Sequence, residues 1–169
     1  MPGTAIVNLP EEALLSPEDF PLVEGGLYSA GIHPWWTEHD LDRLWNGLLA
    51  WAGHAQVVAI GECGLDKLRG ASMEVQKEIF VRQLELGEHL SLPVTIHCVK
   101  AFDQLLSLRK TLRPSVQWTV HGFRGKPELA KQLLAAGFNL SFGKHFNAES
   151  YALTPDARRY RETDDDYAV

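Results

Sequence analysis

Four residues of metal-binding type stand near the ends of four separate predicted strands. Glu62 follows VVAIG, His97 follows PVTI, His121 follows SVQWTV and Asp164 follows RRYRET. In a parallel α/β barrel, side chains at the C-terminal ends of different strands converge over the barrel mouth. Carboxylates and imidazoles are ligands for zinc, manganese or magnesium. The sequence therefore predicts a shared site for a divalent metal ion, held by Glu62, His97, His121 and Asp164.

Each of these residues, taken singly, has a plainer interpretation. Glu62 could cap a helix or join an ion pair, His97 and His121 could be hydrogen-bonded histidines, and Asp164 could be a surface acid. Their joint placement at four strand ends favours the metal site. A metal-bound water is acidified towards hydroxide near neutral pH, and a nearby carboxylate can orient it or accept its proton. The predicted chemistry is therefore hydrolysis.

The elements that position these residues follow a strand–helix alternation. Seven apolar or strand-like runs are predicted to be strands, at residues 4–9, 27–33, 56–62, 92–97, 115–121, 138–143 and 157–164. Helical patterns lie at 39–54, 72–90, 100–112 and 126–137, whereas 11–26 reads as a turn-rich connection. Continuous apolar strands separated by helices are typical of a parallel sheet covered by helices. We predict a TIM-barrel-like parallel (β/α) barrel of about seven strands, which is incomplete.

Two of the helices carry clear end signals. Ser72 is placed to cap the helix at 72–90, whose predicted buried face carries Val75, Ile79, Leu86 and Leu90. Pro127 and Gly137 flank the last helix in the order typical of a helix start and end.

Composition limits the function classes. The chain of 169 residues is expected to form one domain, and its net charge of −6 argues against a protein that stably coats nucleic acid. A metallohydrolase can still act on phosphate esters because its cations add positive charge. With no signal peptide and no apolar run of about 20 residues, we expect a cytoplasmic protein without membrane contact, and Cys63 and Cys98 as reduced thiols.

Six segments in order carry a family resemblance. GIHP, AIGECGLD, LPVTIHCVKA, VHGFRG, LSFG and ETDD resemble the TatD family of metal-dependent deoxyribonucleases, and more narrowly its shorter bacterial branch. The resemblance runs from about residue 4 to residue 166. It implies a TIM-barrel metallohydrolase that cleaves phosphodiester bonds in DNA with one or two divalent cations.

The resemblance also implies residue roles. Glu62 would bridge two metal ions, His97 and His121 would complete the second site, and Asp164 would bind the first ion and help to activate its water. Glu62 and Asp164 are thus the predicted catalytic residues. We expect His33, Lys100 and Arg124 to contact substrate, although His33 could simply shape the turn before Pro34 and the two cations could be solvated.

The chain departs from the family at both ends. It has no His-x-His pair, which the family carries on its first strand, and it stops soon after ETDD. Truncation is the favoured explanation, beside a degenerate member with one metal site and a barrel completed by another chain. Open barrel edges predict self-association. The alternative functions are a barrel without catalysis that acts as a binding module, and an amidohydrolase-like reaction on a C–N bond.

Overall fold

Seven parallel strands form one sheet in the computed structural model of the chain, which describes residues 5–162. The strands are β1 (Ile6–Asn8), β2 (Leu27–Ala30), β3 (Val57–Asp66), β4 (Val94–Val99), β5 (Trp118–Val120), β6 (Asn139–Phe142) and β7 (Arg159–Arg161). They lie in chain order, and each pairs in parallel with the next. Each predicted strand overlaps one of these seven, and the predicted parallel α/β class is confirmed.

A helix connects each strand to the next. The helices are α1 (Glu11–Leu15), α2 (Leu41–Ala52), α3 (Met73–Leu90), α4 (Phe102–Leu112), α5 (Pro127–Ala136) and α6 (Ala148–Leu153), with short 3-10 helices at Pro17–Asp19, Pro34–Trp36 and Asp156–Arg158. Ser72 caps α3 by accepting from the backbone N–H of Val75, and Gly137 ends α5 in the left-handed conformation, as predicted. Across residues 5–162, none of the helices has the length and apolar character needed to cross a bilayer.

The first connection is more ordered than its composition indicates. Residues 11–26 were expected to be turns, yet α1 forms there and packs on α2. Ala13 and Leu14 are fully buried, and the indole Nε1 of Trp51 donates to the carbonyl oxygen of Ala13 over 2.7 Å. A helix of five residues is too short to show a 3.6-residue period, so tertiary packing decides its structure.

The buried face of α3 also differs from the prediction. Val75 is only partly buried and Leu90 is 36 % exposed, whereas Gln76 and Gln83 are fully buried. Apolar periodicity favoured the leucine and valine positions. Buried amides are retained only when they are hydrogen-bonded, and both glutamines bind backbone groups of the loops beside the candidate site.

The core lies between the sheet and its helices, in two clusters. The larger one joins β3–β6 to α3–α5 and contains the aromatic residues Phe80, Trp118, Phe123, Phe138 and Phe142. The smaller one joins β1 and β2 to α1 and α2 and contains Leu14, Ile32, Leu44, Leu48 and Trp51. Each fully buried side chain of this size contributes about 2 kcal/mol relative to exposure. These helices therefore hold the sheet that positions the site.

The sheet curls around an open interior. A cavity of about 500 Å³ is lined by Ile6 and Asn8 of β1 and also by Tyr160 of β7, at the opposite edge of the sheet. The arginine-rich segment Arg159–Arg161 forms β7 at that edge, where Tyr160 and Arg161 are exposed. At the other edge, Ile6 and Val7 are about half exposed. Self-association through these edges stays a prediction.

We expect Gly47→Ala to destabilise the fold although alanine favours helices. A Cβ atom at Gly47 in α2 would lie 1.8 Å from the carbonyl oxygen of Leu14, which is backbone that cannot rotate away. The clash should lower the free energy of unfolding by about 3 kcal/mol, measured by urea denaturation. Gly53→Ala is the control, because open space surrounds Gly53 and its stability should change by less than about 0.5 kcal/mol. Equal stabilities for the two variants would contradict the close packing of α1 on α2.

Candidate metal centre

Glu62 lies at the centre of a ring of imidazoles at the C-terminal end of the sheet. Its Oε1 is 3.2 Å from Nδ1 of His97 and 3.7 Å from Nε2 of His33. Its Oε2 is 3.8 Å from Nε2 of His121. Three of the four predicted ligands are therefore together, and His33, predicted to contact substrate, joins them. Asp164 lies outside the described residues.

Glu62 is inside a strand rather than at its end. β3 was expected to stop at residue 62, but it continues to Asp66 because its pairing with β4 extends from Cys63 to Asp66. The register with β4 shifts between Ile60 and Cys63, the interval that contains Glu62. Such irregularities re-aim a side chain and are frequent beside active sites.

Asp66 is a site residue that the sequence pattern did not indicate. Its carboxylate is 3 % exposed, and Oδ2 lies 2.9 Å from Nε2 of His97 and 2.7 Å from the indole Nε1 of Trp35, while Oδ1 accepts from the N–H of Leu68. A carboxylate on Nε2 of His97 keeps a proton on that nitrogen, so Nδ1 is the nitrogen that would give up its proton to bind a metal. The even spacing from Glu62 could have indicated a shared strand face, but the predicted strand ended at residue 62.

Glu162 is the second residue that was missed. Its Oε2 lies 3.1 Å from Nδ1 of His121 and accepts from the N–H of Gly122 and the hydroxyl of Ser141. It therefore orients His121 as Asp66 orients His97, with the other ring nitrogen of His121 towards Glu62. Glu162 opens the ETDD segment, and only Asp164 of that segment had been singled out.

Asn8 completes the surroundings of Glu62. Its side-chain Nδ2 donates to Oε2 of Glu62 over 3.4 Å, and its side-chain Oδ1 accepts from the hydroxyl of Ser29. Asn8 is the last residue of β1, the strand next to β2. The sheet edge thus contributes a hydrogen-bond donor to the site.

The contacts around Glu62 shift the pKa values of Glu62, His97 and Asp66. Burial alone would raise the pKa of Glu62, but hydrogen bonds from His33 and His97 and the charge of His121 outweigh it, and the pKa falls well below its usual range. For His97, burial lowers the pKa, yet hydrogen bonds to Glu62 and Asp66 raise it above its usual value. For Asp66, burial is outweighed by the donors Trp35 and His97, and its pKa is lowered. The two acids are therefore ionised at neutral pH.

The donor set fits a divalent cation. One ligand atom each from His33, Glu62 and His97 all lie within 4.8 Å of one another. Ligand bonds of about 2.0–2.2 Å place neighbouring ligand atoms within about 4.4 Å of each other, so small side-chain movements would suffice. The second oxygen of Glu62 faces His121, so His121 would add a ligand on that side of the carboxylate.

The predicted cationic contacts lie on loops at the same end of the strands. Lys100 follows β4 and Arg124 follows β5, and both side chains are exposed. Neither makes a hydrogen bond or an ion pair with another residue in the described range. Their contact with substrate stays a prediction.

The family model described as TatD related DNase matches residues 23–167. The chain belongs to this family. It is 40 % identical over 124 residues to the 3'-5' ssDNA/RNA exonuclease TatD of Cronobacter sakazakii, an alignment that covers 69 % of this chain and 45 % of the relative. It is 37 % identical over 114 residues to the uncharacterized metal-dependent hydrolase YabD of Bacillus subtilis, covering 64 % and 45 %. The chain therefore spans less than half the length of these curated relatives.

Two solved TatD structures share the fold. The TatD homologue YjjV from Escherichia coli superposes with a TM-score of 0.79 at 27 % identity, covering 96 % of this chain and 67 % of that one. A TatD family hydrolase from Entamoeba histolytica gives a TM-score of 0.72 at 26 % identity, covering 94 % and 59 %. The predicted family and the predicted barrel-like TatD fold are confirmed.

We expect Asp66→Asn to weaken metal binding by about 10–100-fold. Within residues 5–162, the three partners of the Asp66 carboxylate, which are Trp35, His97 and Leu68, are donors. An asparagine has one acceptor oxygen, so its amide nitrogen must face one of these donors. Zinc titration by calorimetry measures the effect, and Asp103→Asn on the exposed first turn of α4 is the control. Equal affinity in both variants would mean that Asp66 does not orient His97.

We also expect metal affinity to fall as the pH is lowered from about 8 to about 6. Metal must displace the proton that His97 binds with a raised pKa, while Glu62, whose pKa is lowered, stays ionised. Below the pKa of His97, each pH unit should cost about tenfold in affinity if one proton is displaced. Calorimetric titration at both pH values measures this dependence, which should be shallower in His97→Asn. A pH-independent affinity in the unmodified chain would contradict the raised pKa.

Proposed function

We propose that this chain is a TatD-type metal-dependent hydrolase that cleaves phosphodiester bonds in DNA. The observation that carries the proposal is the carboxylate of Glu62, held between His33, His97 and His121 at the ends of parallel strands. The names of two relatives, an ssDNA/RNA exonuclease and a metal-dependent hydrolase, support the reaction class. Residues 1–169 would form a single metallohydrolase domain.

The chain's own residues would hold one or two zinc, manganese or magnesium ions. Glu62, His97 and His121 form one ligand set, His33 adds a further donor, and Asp164 is proposed to join from the segment after β7. A bound divalent ion supplies an acidified water and neutralises charge on the phosphate. The residues around it keep the ligands in place.

Carboxylates would orient the attacking water and accept its proton. Glu62 is ionised and hydrogen-bonded, so it can orient the attacking water, and Asp164 is the proposed acceptor of its proton. Asp66 and Glu162 hold the distal nitrogens of His97 and His121, which keeps both imidazoles in one tautomer. Lys100 and Arg124 are proposed to contact the phosphates of the DNA strand.

We expect the double variant His97→Ala/His121→Ala to lose both metal and cleavage. About one equivalent of metal should remain with the unmodified chain after incubation with zinc or manganese, measured by elemental analysis. The double variant should retain almost none, because Glu62, His33 and the proposed ligand Asp164 then lack the two imidazoles that complete the ligand set. Cleavage of end-labelled single-stranded DNA should fall by at least about 100-fold.

His89→Ala is the matched control, since His89 is exposed near the end of α3. It should keep both metal and activity. Equal metal in the double variant and the control would show that the ion binds elsewhere. No metal and no cleavage in the unmodified chain would favour a barrel that only binds a partner, and cleavage of an amide substrate alone would favour the C–N reaction.

A further inference from the structure

Arg69 stacks on the ring of Trp35, and this ring lies next to two imidazoles of the candidate metal centre. Its guanidinium carbon is 3.7 Å from the ring centroid of Trp35. The ring of Trp35 in turn lies 4.6 Å from that of His33 and 5.6 Å from that of His97, measured between centroids. The cation is therefore separated from two potential metal ligands by a single side chain.

The loop that carries Arg69 is held in place by the side chain of Gln76 and by a close backbone approach at Gly70. Gln76 of α3 donates from Nε2 to the carbonyl oxygens of Asp66, Arg69 and Ala71, and its Oε1 accepts from the N–H of Asp66. Gly70 has a φ of +88°, and a Cβ atom there would lie 2.2 Å from the carbonyl oxygen of Pro34. A buried amide and a tight backbone approach thus hold residues 66–71 against the segment that carries Trp35.

Trp35 is fixed as well. Its indole Nε1 donates to Asp66 over 2.7 Å, and it belongs to the 3-10 helix Pro34–Trp36. The hydroxyl of Thr37 accepts from the N–H of Ala71, which ties the two loops together. The ring of Trp35 and the loop that carries Arg69 are therefore positioned by the same set of hydrogen bonds.

Stacking leaves the donors of Arg69 available. A guanidinium that lies over a ring uses its face, while its N–H groups point outward in the plane. Within residues 5–162, Arg69 has no carboxylate partner and its side chain donates no hydrogen bond. Arg43, Arg109, Arg158 and Arg159, by contrast, donate to backbone carbonyl oxygens.

The negative charges of the candidate metal centre indicate that the free donors of Arg69 can serve to bind phosphate. Glu62 and Asp66 are ionised in the cluster, and the whole chain carries a net charge of −6. A phosphodiester strand that approaches the C-terminal end of the sheet is repelled unless cations offset the carboxylates. A planar guanidinium binds two phosphate oxygens at once, and its stacked position lowers the entropy that is lost on binding.

We propose that Arg69, stacked on Trp35, binds a phosphate of a single-stranded nucleic acid next to the phosphate that is cleaved. The proposal rests on the proposed function. Arg69 is a substrate-binding residue, and Trp35 is the platform that positions it.

The test is binding of a fluorescein-labelled oligo(dT) to the 169-residue chain, measured by anisotropy over a range of salt concentrations in chelator and repeated with manganese. Arg69→Ala should weaken binding about tenfold. The slope of log affinity against log salt should become shallower by about 0.7, as expected when one phosphate contact on a single strand is lost. Arg69→Lys should keep most of the slope and lose part of the affinity, because the charge stays but the planar fork is gone.

Arg82→Ala is the matched control. Arg82 is an exposed arginine stacked on a tryptophan, with its guanidinium carbon 4.2 Å from the ring centroid of Trp45, but this pair lies on the outer helices α3 and α2. Its removal should leave affinity and salt slope unchanged. A second readout uses oligonucleotides with one neutral methylphosphonate. Neutralising the contacted phosphate should weaken binding by the unmodified chain and not by Arg69→Ala.

The outcomes separate the two proposals. If the unmodified chain binds and cleaves the oligonucleotide while Arg69→Ala matches Arg82→Ala in affinity and slope, the role of Arg69 is wrong and the hydrolase function stands. If the unmodified chain loads metal but neither binds nor cleaves the oligonucleotide, both proposals are wrong. A raised KM with little change in kcat for Arg69→Ala supports phosphate binding, whereas a loss of kcat alone overturns it.

Discussion

The rest of the site depends on one constraint, which is that the carboxylate of Glu62 must stay charged although it is only 14 % exposed. An unpaired buried charge costs several kcal/mol, so the surroundings have to supply donors or cations. His33 and His97 serve one oxygen, while His121 and Asn8 serve the other. These groups come from four different strands or their ends, so Glu62 links folding of the sheet to assembly of the site.

A second set of side chains holds the groups that surround Glu62 in place. Asp66 and Glu162 set the orientation of His97 and His121, and Gln76 and Gln83 hold the loops that carry the neighbouring groups. The side chain of Gln83 binds both backbone groups of Ile32, directly before His33. The longest helix of the described chain therefore places polar side chains at buried positions, where each has several backbone partners. Such satisfied amides fix one loop geometry, which apolar packing alone would leave less defined.

Apolar content predicted β2, β3 and β6 because these strands are largely buried on both faces, and strand order followed from the alternation with helices. The same reasoning brought Glu62, His97 and His121 together, since parallel strands end at one side of a sheet. It missed Asp66 because the strand was expected to end at Glu62, and it missed Gln76 because a lone glutamine in an amphipathic helix is usually solvated. Such contacts depend on the register shift in β3 and on the depth of α3, and neither is visible as a pattern in one sequence.

The proposed recognition of a nucleic acid by this chain has to be local. With a net charge of −6, the protein as a whole repels a phosphodiester backbone, and screening limits that repulsion to about 8 Å at physiological salt. Within such a distance of the mouth, a few cations outweigh the global charge. Arg69, Lys100 and Arg124 stand on the loops after β3, β4 and β5, next to a centre whose acids favour a divalent cation. Under the proposed function, the acidic centre and its basic surroundings have separate tasks, because the acids would hold metal while the loop cations would offset the charge of the strand.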